Sequence, residues 1–173
     1  MSRRGGRALE SKISGRVWKY GDDVNTDVIF PGKYTYSITD RQEMAQHALE
    51  DLDPEFVKNV RPGDIVVAGK NWGCGSSREQ AVIALKEAGV GAIVARSFAR
   101  IYFRNCINEG LPIVTCDAVD GVETGEEITI DFEAGKVTTA RGEYSFPPLP
   151  ASILEILNAG GLVPHVKKKL ALA

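Results

Sequence analysis

The chain is poor in the residues that form disulfides and bind metals. Its 173 residues include three cysteines and two histidines. Cys74, Cys106 and Cys116 show no Cys-x-x-Cys spacing, and an odd number of cysteines argues against a disulfide framework. We therefore expect reduced thiols, as is typical of a cytoplasmic protein, and no metal bound by this chain.

An excess of charge of either sign is also missing. The chain has 21 basic and 23 acidic residues and a net charge of −2, which gives no electrostatic reason to bind nucleic acid or a membrane surface. No apolar run reaches the roughly 18 residues of a membrane span. The basic start, residues 1–7, is not followed by the apolar core of a secretory signal. It favours a short frayed terminus, with an organelle-import segment as the alternative.

The most informative stretch present is a glycine-broken loop, residues 73–79. Before it, residues 64–68 are apolar and β-branched like a buried strand, and after it residues 80–88 are mostly good helix formers. Gly73 and Gly75 allow a sharp turn and a close approach to the backbone. A strand, loop and helix in this order direct backbone N–H groups at an anion.

The side chains of this loop strengthen that prediction but leave its purpose open. Ser76 and Ser77 supply hydroxyls, and Arg78 supplies a fork that matches a carboxylate or phosphate. Ser76 with Glu79 also matches a capping box, which pattern alone favours over catalysis. The phosphate-binding P-loop and the dinucleotide fingerprint are both missing. The residues by themselves predict an anion pocket of unknown purpose.

The segments around the loop predict an α/β fold. Strand-like runs at 64–68, 91–95 and 111–116 alternate with helical segments at 80–88 and 98–109. This order predicts parallel strands joined by right-handed crossovers. Because ligands bind beyond the carboxyl ends of such strands, the position of the loop agrees with its chemistry.

The remaining segments extend this core. Residues 13–20 alternate like a first strand, and residues 126–140 predict a β-hairpin. A capping box at Thr39 predicts a helix over 39–52, and residues 54–60 and 152–159 predict shorter helices.

Three separated motifs resemble the swivel domain of the aconitase superfamily. They are residues 23–31, 73–79 and 95–101; three separated motifs in the right order make the resemblance specific, and it covers most of residues 13–165. Many relatives carry histidine where this chain has Gln80. The resemblance implies a single swivelling β/β/α domain with a parallel βαβαβ core and an added β-hairpin. A tail at 1–12 and a solvated end at 166–173 would flank it.

At this length, as a free chain, the sequence is similar to the small-subunit family of 3-isopropylmalate dehydratases. This resemblance implies reversible dehydration that interconverts 2- and 3-isopropylmalate in leucine biosynthesis. It also implies a separate large subunit that carries a [4Fe-4S] cluster, because several convergent thiolates are needed to bind one. Alternatives are the small subunit of a homoaconitase or 2,3-dimethylmalate dehydratase, a standalone hydro-lyase or phosphate-handling enzyme, and a non-catalytic anion-binding module.

The same resemblance implies roles for individual residues. Ser76 is similar to the serine that acts as the proton-transferring base, and Asp27 falls where relatives place an active-site aspartate. Ser77 and Arg78, with the backbone at Gly75, would bind the substrate carboxylate. Without the family, Asp27 would be interpreted as a loop aspartate that caps local amides.

Substrate choice is expected to depend on residues 31–37. Relatives that accept a third carboxylate tend to have arginine two positions after the tyrosine that matches Tyr34, and this chain has Tyr36 there. An aromatic ring suits an apolar substituent and does not pair with a carboxylate. We therefore expect Tyr34 and Tyr36 to contact an isopropyl-bearing substrate, with Lys33 able to swing into the pocket.

Three further arginines, Arg96, Arg100 and Arg104, could approach the same pocket. Solvated or salt-bridged surface positions are the favoured prediction for each of them. Cys74 is interpreted as a small packing residue in a tight loop.

Overall fold

A computed structural model describes residues 9–172. The basic start, residues 1–7, and most of the tail predicted over 1–12 lie outside this range. Within it, the chain forms a seven-stranded sheet with helices against it. The strands are β1 (Lys12–Lys19), β2 (Ile65–Ala68), β3 (Ala92–Ala95), β4 (Ile113–Thr115), β5 (Glu127–Asp131), β6 (Lys136–Thr139) and β7 (Gly142–Ser145). The helices are α1 (Thr26–Ile29), α2 (Arg41–Ala45), α3 (Glu55–Asn59), α4 (Gln80–Ala88), α5 (Arg100–Glu109), α6 (Ala151–Ala159) and α7 (Leu162–Leu172).

The sheet combines a parallel half and an antiparallel half that share β1. Its order is β4-β3-β2-β1-β5-β6-β7. Strands β1 to β4 run parallel, whereas β5, β6 and β7 pair antiparallel. The first half of β1 pairs with β5 and its last residues pair with β2. The predicted α/β fold, with a parallel βαβαβ core and an added hairpin, is confirmed.

Two apolar clusters explain why the central strands appear as continuous hydrophobic runs. Val66 and Ile93 belong to the cluster that includes side chains of α4 and α5. Their strand neighbours Ile65 and Val94 belong to the cluster that includes the hairpin strands. Successive side chains of a strand point to opposite faces, so a parallel strand covered on both faces is apolar throughout.

The prediction of a helix over 39–52 is wrong in both the length of the helix and its N-cap. Helix α2 ends at Ala45, and Asp40, not Thr39, caps it by accepting an amide of its first turn at 2.9 Å. Leu49 then has a φ of 56° and donates its amide to the Ile29 carbonyl at 2.8 Å. A left-handed residue that bonds to another segment is incompatible with a continuous helix. Met44 and Ala48 are still buried, but Leu52, at the end of the predicted helix, is 40% exposed.

The other segments follow the predictions more closely. Helix α3 and the hairpin β5–β6 are confirmed, and β7 adds a third antiparallel strand. Residues 162–172, of which the last part was predicted as a solvated end, form helix α7, where Val163 and Leu170 are exposed. Among residues 9–172, none of the helices is long and apolar enough to cross a membrane.

Candidate active site

The candidate site lies at the carboxyl end of β2, where an N-terminal segment runs alongside the glycine-broken loop. Asn25 and Cys74 form an isolated parallel bridge. The Thr26 amide donates to the Cys74 carbonyl at 2.8 Å, and the Gly73 amide donates to the Val24 carbonyl at 2.8 Å. These bonds hold residues 24–27 against the loop, so two motifs distant in sequence become one site.

Two glycines permit this close packing. Gly73 has a φ of 82°, and a Cβ there would overlap the Tyr102 ring. Gly75 has a φ of 104°, and a Cβ there would lie 3.2 Å from Thr26 Oγ1. Both conformations disfavour any residue with a side chain. The loop therefore needs glycine at both positions.

Ser76 does not cap helix α4. The residue before the helix is Glu79, and the helix start has no side-chain cap. The Ser76 hydroxyl instead lies 3.0 Å from Thr26 Oγ1 and accepts a hydrogen bond from Arg78 Nε at 2.8 Å. The capping-box interpretation of Ser76 and Glu79 is therefore wrong, because Ser76 is held by tertiary contacts upstream of the helix.

Arg78 connects the elements of the site. Its Nη2 donates to Asp27 Oδ1, and its Nη1 donates to Thr35 Oγ1. The Arg78 side chain is 17% exposed, whereas that of Asp27 is 69% exposed. The structure thus brings Ser76, Arg78 and Asp27 together, with the guanidinium already paired to a carboxylate.

Ser77 and the first turn of α4 provide unoccupied donors beside Ser76. Ser77 is exposed, and its carbonyl accepts a hydrogen bond from Asn105 Nδ2 at 3.0 Å. Among residues 9–172, neither the Ser77 hydroxyl nor the amides of residues 77–81 have an acceptor. Free amides at a helix start favour an anion.

The loop predicted to choose the substrate has one half-buried tyrosine and one exposed tyrosine. Tyr34 is half-buried, its hydroxyl donates to Glu50 at 3.3 Å, and its ring lies 4.2 Å from the His47 ring. Lys33 Nζ lies 5.0 Å from the centroid of the Tyr34 ring. Tyr36 is 98% exposed. The geometry makes Tyr34 an anchor of the loop and leaves Tyr36 available for contact.

Comparisons with known proteins show the family of this chain. The family model for the aconitase C-terminal domain matches residues 25–118. The chain is 50% identical to 3-isopropylmalate dehydratase small subunit 2 of Archaeoglobus fulgidus, over 91% of this chain and 96% of that protein. It is 51% identical to small subunit 1 of Thermotoga maritima, over 90% of this chain and 95% of that one.

The chain belongs to the family of 3-isopropylmalate dehydratase small subunits. The solved structure of the 3-isopropylmalate dehydratase protein from Methanocaldococcus jannaschii superposes with a TM-score of 0.88 at 43% identity. That alignment covers 93% of this chain and 96% of the other. The relationship to the small-subunit family therefore extends over nearly the whole chain.

Sequence reasoning missed two threonines of this candidate site. Thr26, which is 1% exposed, contacts Ser76, and Thr35 contacts Arg78. Thr26 stands next to Asp27 in the motif at residues 23–31, and this adjacency is a sequence feature that points to it. Its contact with Ser76 spans 50 positions of sequence, so no local pattern reveals it.

The sequence predicts solvated or salt-bridged surface positions for three further arginines. Arg96 donates to Asp117 at 3.0 Å and to Asp120, so its predicted salt-bridged surface position is confirmed. Arg100 and Arg104 are exposed on α5, and neither has an ion-pair partner among residues 9–172.

The cysteines of this chain do not fit an iron–sulfur cluster. Cys74 is half-buried, Cys106 and Cys116 are buried, and all three are free thiols. Burial raises the pKa of the Cys106 and Cys116 thiols, which keeps them protonated. Within residues 9–172, no group of three or more histidine, cysteine or acidic residues could hold a metal ion. A cluster needs several convergent thiolates.

Proposed function

We propose that this chain is the small subunit of a 3-isopropylmalate dehydratase. This hydro-lyase interconverts 2- and 3-isopropylmalate during leucine biosynthesis and is active only when the chain joins a large subunit. The observation that carries the proposal is the Ser76 hydroxyl, which is exposed at the carboxyl end of β2 and receives the Arg78 Nε donor at 2.8 Å. Relatives about half identical over nearly the whole chain bear this enzyme's name.

The partner follows from the same relatives. They are named small subunits, and this implies a larger chain that completes the enzyme. We assign the [4Fe-4S] cluster to that large subunit, because residues 9–172 of this chain lack a suitable ligand set. The assembly would be cytoplasmic, where cysteines such as Cys74 stay reduced.

Ser76 would move the proton of the reaction. Dehydration removes a proton from the carbon next to a carboxylate, and a serine does this only if its alkoxide is stabilised. Arg78 Nε supplies a charged donor to that oxygen. Donors already aimed at an atom that becomes negatively charged lower the barrier without reorganisation.

The substrate carboxylate would bind beside Ser76 at the start of α4. The Ser77 hydroxyl and the free amides of residues 77–81 are available donors there, and Gly75 leaves its exposed backbone open. Arg78 adds positive charge, while its partner Asp27 is exposed enough to exchange contacts with substrate or water. Asp27 would thereby join the acid–base network.

Residues 31–37 would receive the side chain of the substrate. Tyr36 extends from the loop, and Tyr34 holds the loop through Glu50. Lys33 lies over the Tyr34 ring, and its charge remains exposed. An isopropyl group suits an aromatic neighbour, whereas a third carboxylate would require a cation in place of Tyr36.

Anaerobic reconstitution with the large subunit of the same source tests this proposal. Activity on 2- and 3-isopropylmalate should appear only with both chains. Ser76→Ala should abolish turnover but preserve complex formation and a cooperative thermal transition, with a lower midpoint because the buried Thr26 hydroxyl loses its acceptor. Ser152→Ala is the matched control, because Ser152 is an exposed serine on α6. It should behave like the wild type.

Each contrary outcome identifies what fails. Full activity of Ser76→Ala would overturn the role of the serine. A wild-type complex that is inactive on isopropylmalate would overturn the substrate, and homoaconitate and 2,3-dimethylmalate would then be assayed in the same complex.

A further inference from the structure

Thr26 is a buried polar residue at the edge of an exposed site. It is 1% exposed, whereas Ser76 beside it is open to solvent. Its hydroxyl oxygen lies 3.0 Å from the Ser76 amide nitrogen and 3.0 Å from Ser76 Oγ. One hydroxyl therefore contacts both the backbone and the side chain of the serine.

The direction of these hydrogen bonds follows from donor chemistry. A backbone amide can only donate, so Thr26 Oγ1 accepts from the Ser76 amide. The Thr26 proton has no other acceptor than Ser76 Oγ among residues 9–172. A buried hydroxyl proton without an acceptor is unfavourable by about 1–3 kcal/mol. Thr26 is therefore the donor in its contact with Ser76 Oγ.

Ser76 Oγ consequently receives two hydrogen bonds. One comes from Thr26 Oγ1 at 3.0 Å and the other from Arg78 Nε at 2.8 Å. The hydroxyl proton of Ser76 is then donated to neither neighbour. It can exchange on the exposed side of the serine. Two donors on one oxygen favour its negatively charged form.

The backbone fixes the Thr26 hydroxyl in this position. The Thr26 amide donates to the Cys74 carbonyl at 2.8 Å, and Asn25 caps helix α1 by accepting the Val28 amide at 3.0 Å. Gly75, without a Cβ, lets the threonine approach the loop. The donor is therefore preorganised before any substrate binds.

We infer that Thr26 is a positioning residue for the reaction, one that donates the second hydrogen bond to the Ser76 alkoxide. This inference rests on the proposed function of the chain. It assigns to Thr26 an action through Ser76 and no contact with the substrate.

The test compares Thr26 variants in the reconstituted two-subunit enzyme. Thr26→Val keeps the shape but removes the donor, and it should lower kcat by about 10²-fold with little change in KM. Thr26→Ser keeps the hydroxyl and should recover most of kcat. Thr139→Val is the control, since Thr139 is also buried, at 8% exposure, but bonds to Gly142 in the hairpin.

The pH dependence separates a donor from a packing residue. The charged group in contact with Ser76 is Arg78, which in turn pairs with Asp27, and both remain in Thr26→Val. With one donor fewer, the Ser76 alkoxide forms less readily. The rising limb of the pH profile of kcat should therefore move to higher pH. A packing defect would lower the active fraction without moving that limb.

The outcomes distinguish this inference from the proposed function. Wild-type kcat and pH dependence in Thr26→Val, together with an inactive Ser76→Ala, would overturn the inference and leave the function intact. An active Ser76→Ala would overturn this inference together with the proposed role of Ser76, whereas the substrate assignment depends on the activity of the wild-type complex. Thermal unfolding and complex formation monitor folding, and Thr26→Ala replaces Thr26→Val if valine prevents assembly.

Discussion

Two arginines near the ends of neighbouring parallel strands differ in what surrounds them. Arg78, in the loop after β2, contacts Asp27, Thr35 and the Ser76 hydroxyl. Arg96 directly follows β3 and contacts two carboxylates. Their side chains are similarly accessible, at 17% and 28%.

The difference shows that the neighbours of an arginine determine its possible chemistry. Arg96 joins the end of β3 to Asp117 and Asp120, which flank a turn, and this contact ties two segments together. Exposed pairs of this kind contribute little to stability. Arg78 also pairs with a carboxylate, but its Nε is aimed at a hydroxyl that can lose a proton. Arg78 therefore differs from Arg96 because its Nε lies next to the Ser76 hydroxyl.

Replacement of Arg78 should have the largest effect of the three substitutions that test this comparison. Arg78→Lys keeps the positive charge but removes the Nε donor and the planar fork. We expect kcat/KM on isopropylmalate to fall by about 10²- to 10³-fold in the reconstituted enzyme, as for loss of an oxyanion donor. A variant that keeps wild-type activity would show that charge alone suffices and would remove the distinction from Arg96.

An added arginine at the substrate loop should have an intermediate effect. Tyr36 is 98% exposed, so Tyr36→Arg should not disturb folding. The new cation should raise the ratio of kcat/KM for homoaconitate to that for isopropylmalate by about 10-fold, because a third carboxylate gains a partner.

The matched control for this change is Tyr36→Phe, which keeps the ring and should leave the ratio unchanged. An unchanged ratio in Tyr36→Arg would contradict the assignment of substrate choice to this position. It would not affect the proposed role of Arg78 as a donor to Ser76.

Replacement of Arg96 should have the smallest effect. Arg96→Ala removes two exposed ion pairs and no contact with the site. We expect kcat/KM within about twofold of the wild type and a small decrease in the thermal midpoint. A loss as large as that of Arg78→Lys, in a folded complex, would show that Arg96 belongs to the active site.

Much of the fold could be predicted from local patterns. The apolar runs mark β2, β3 and β4, and Gly89 and Gly110 end α4 and α5 with φ values of 109° and 77°. Glycine is favoured there because it adopts a left-handed conformation at no steric cost. These signals depend on neighbouring residues, so they can be read from the chain itself.

The wrong predictions arose where distant segments meet. Leu49 leaves the helical conformation and bonds to Ile29, which shortened the helix predicted over 39–52. Ser76 matched a capping box by spacing, but Thr26 and Arg78 hold its hydroxyl. In both cases a tertiary hydrogen bond prevailed over a local preference, which for the cap expected at Ser76 is worth about 1 kcal/mol.

The sequence by itself determined the strands and helices of the core, the position of the loop at the carboxyl end of β2 and the family motifs. Apolar periodicity and backbone chirality act over a few residues and specify these features. The tertiary structure alone decided that Thr26 meets Ser76 and that Asp27 pairs with Arg78, across 50 and 51 positions. Such contacts depend on how the completed sheet places one loop beside another, because hydroxyl and guanidinium groups bond only at short range.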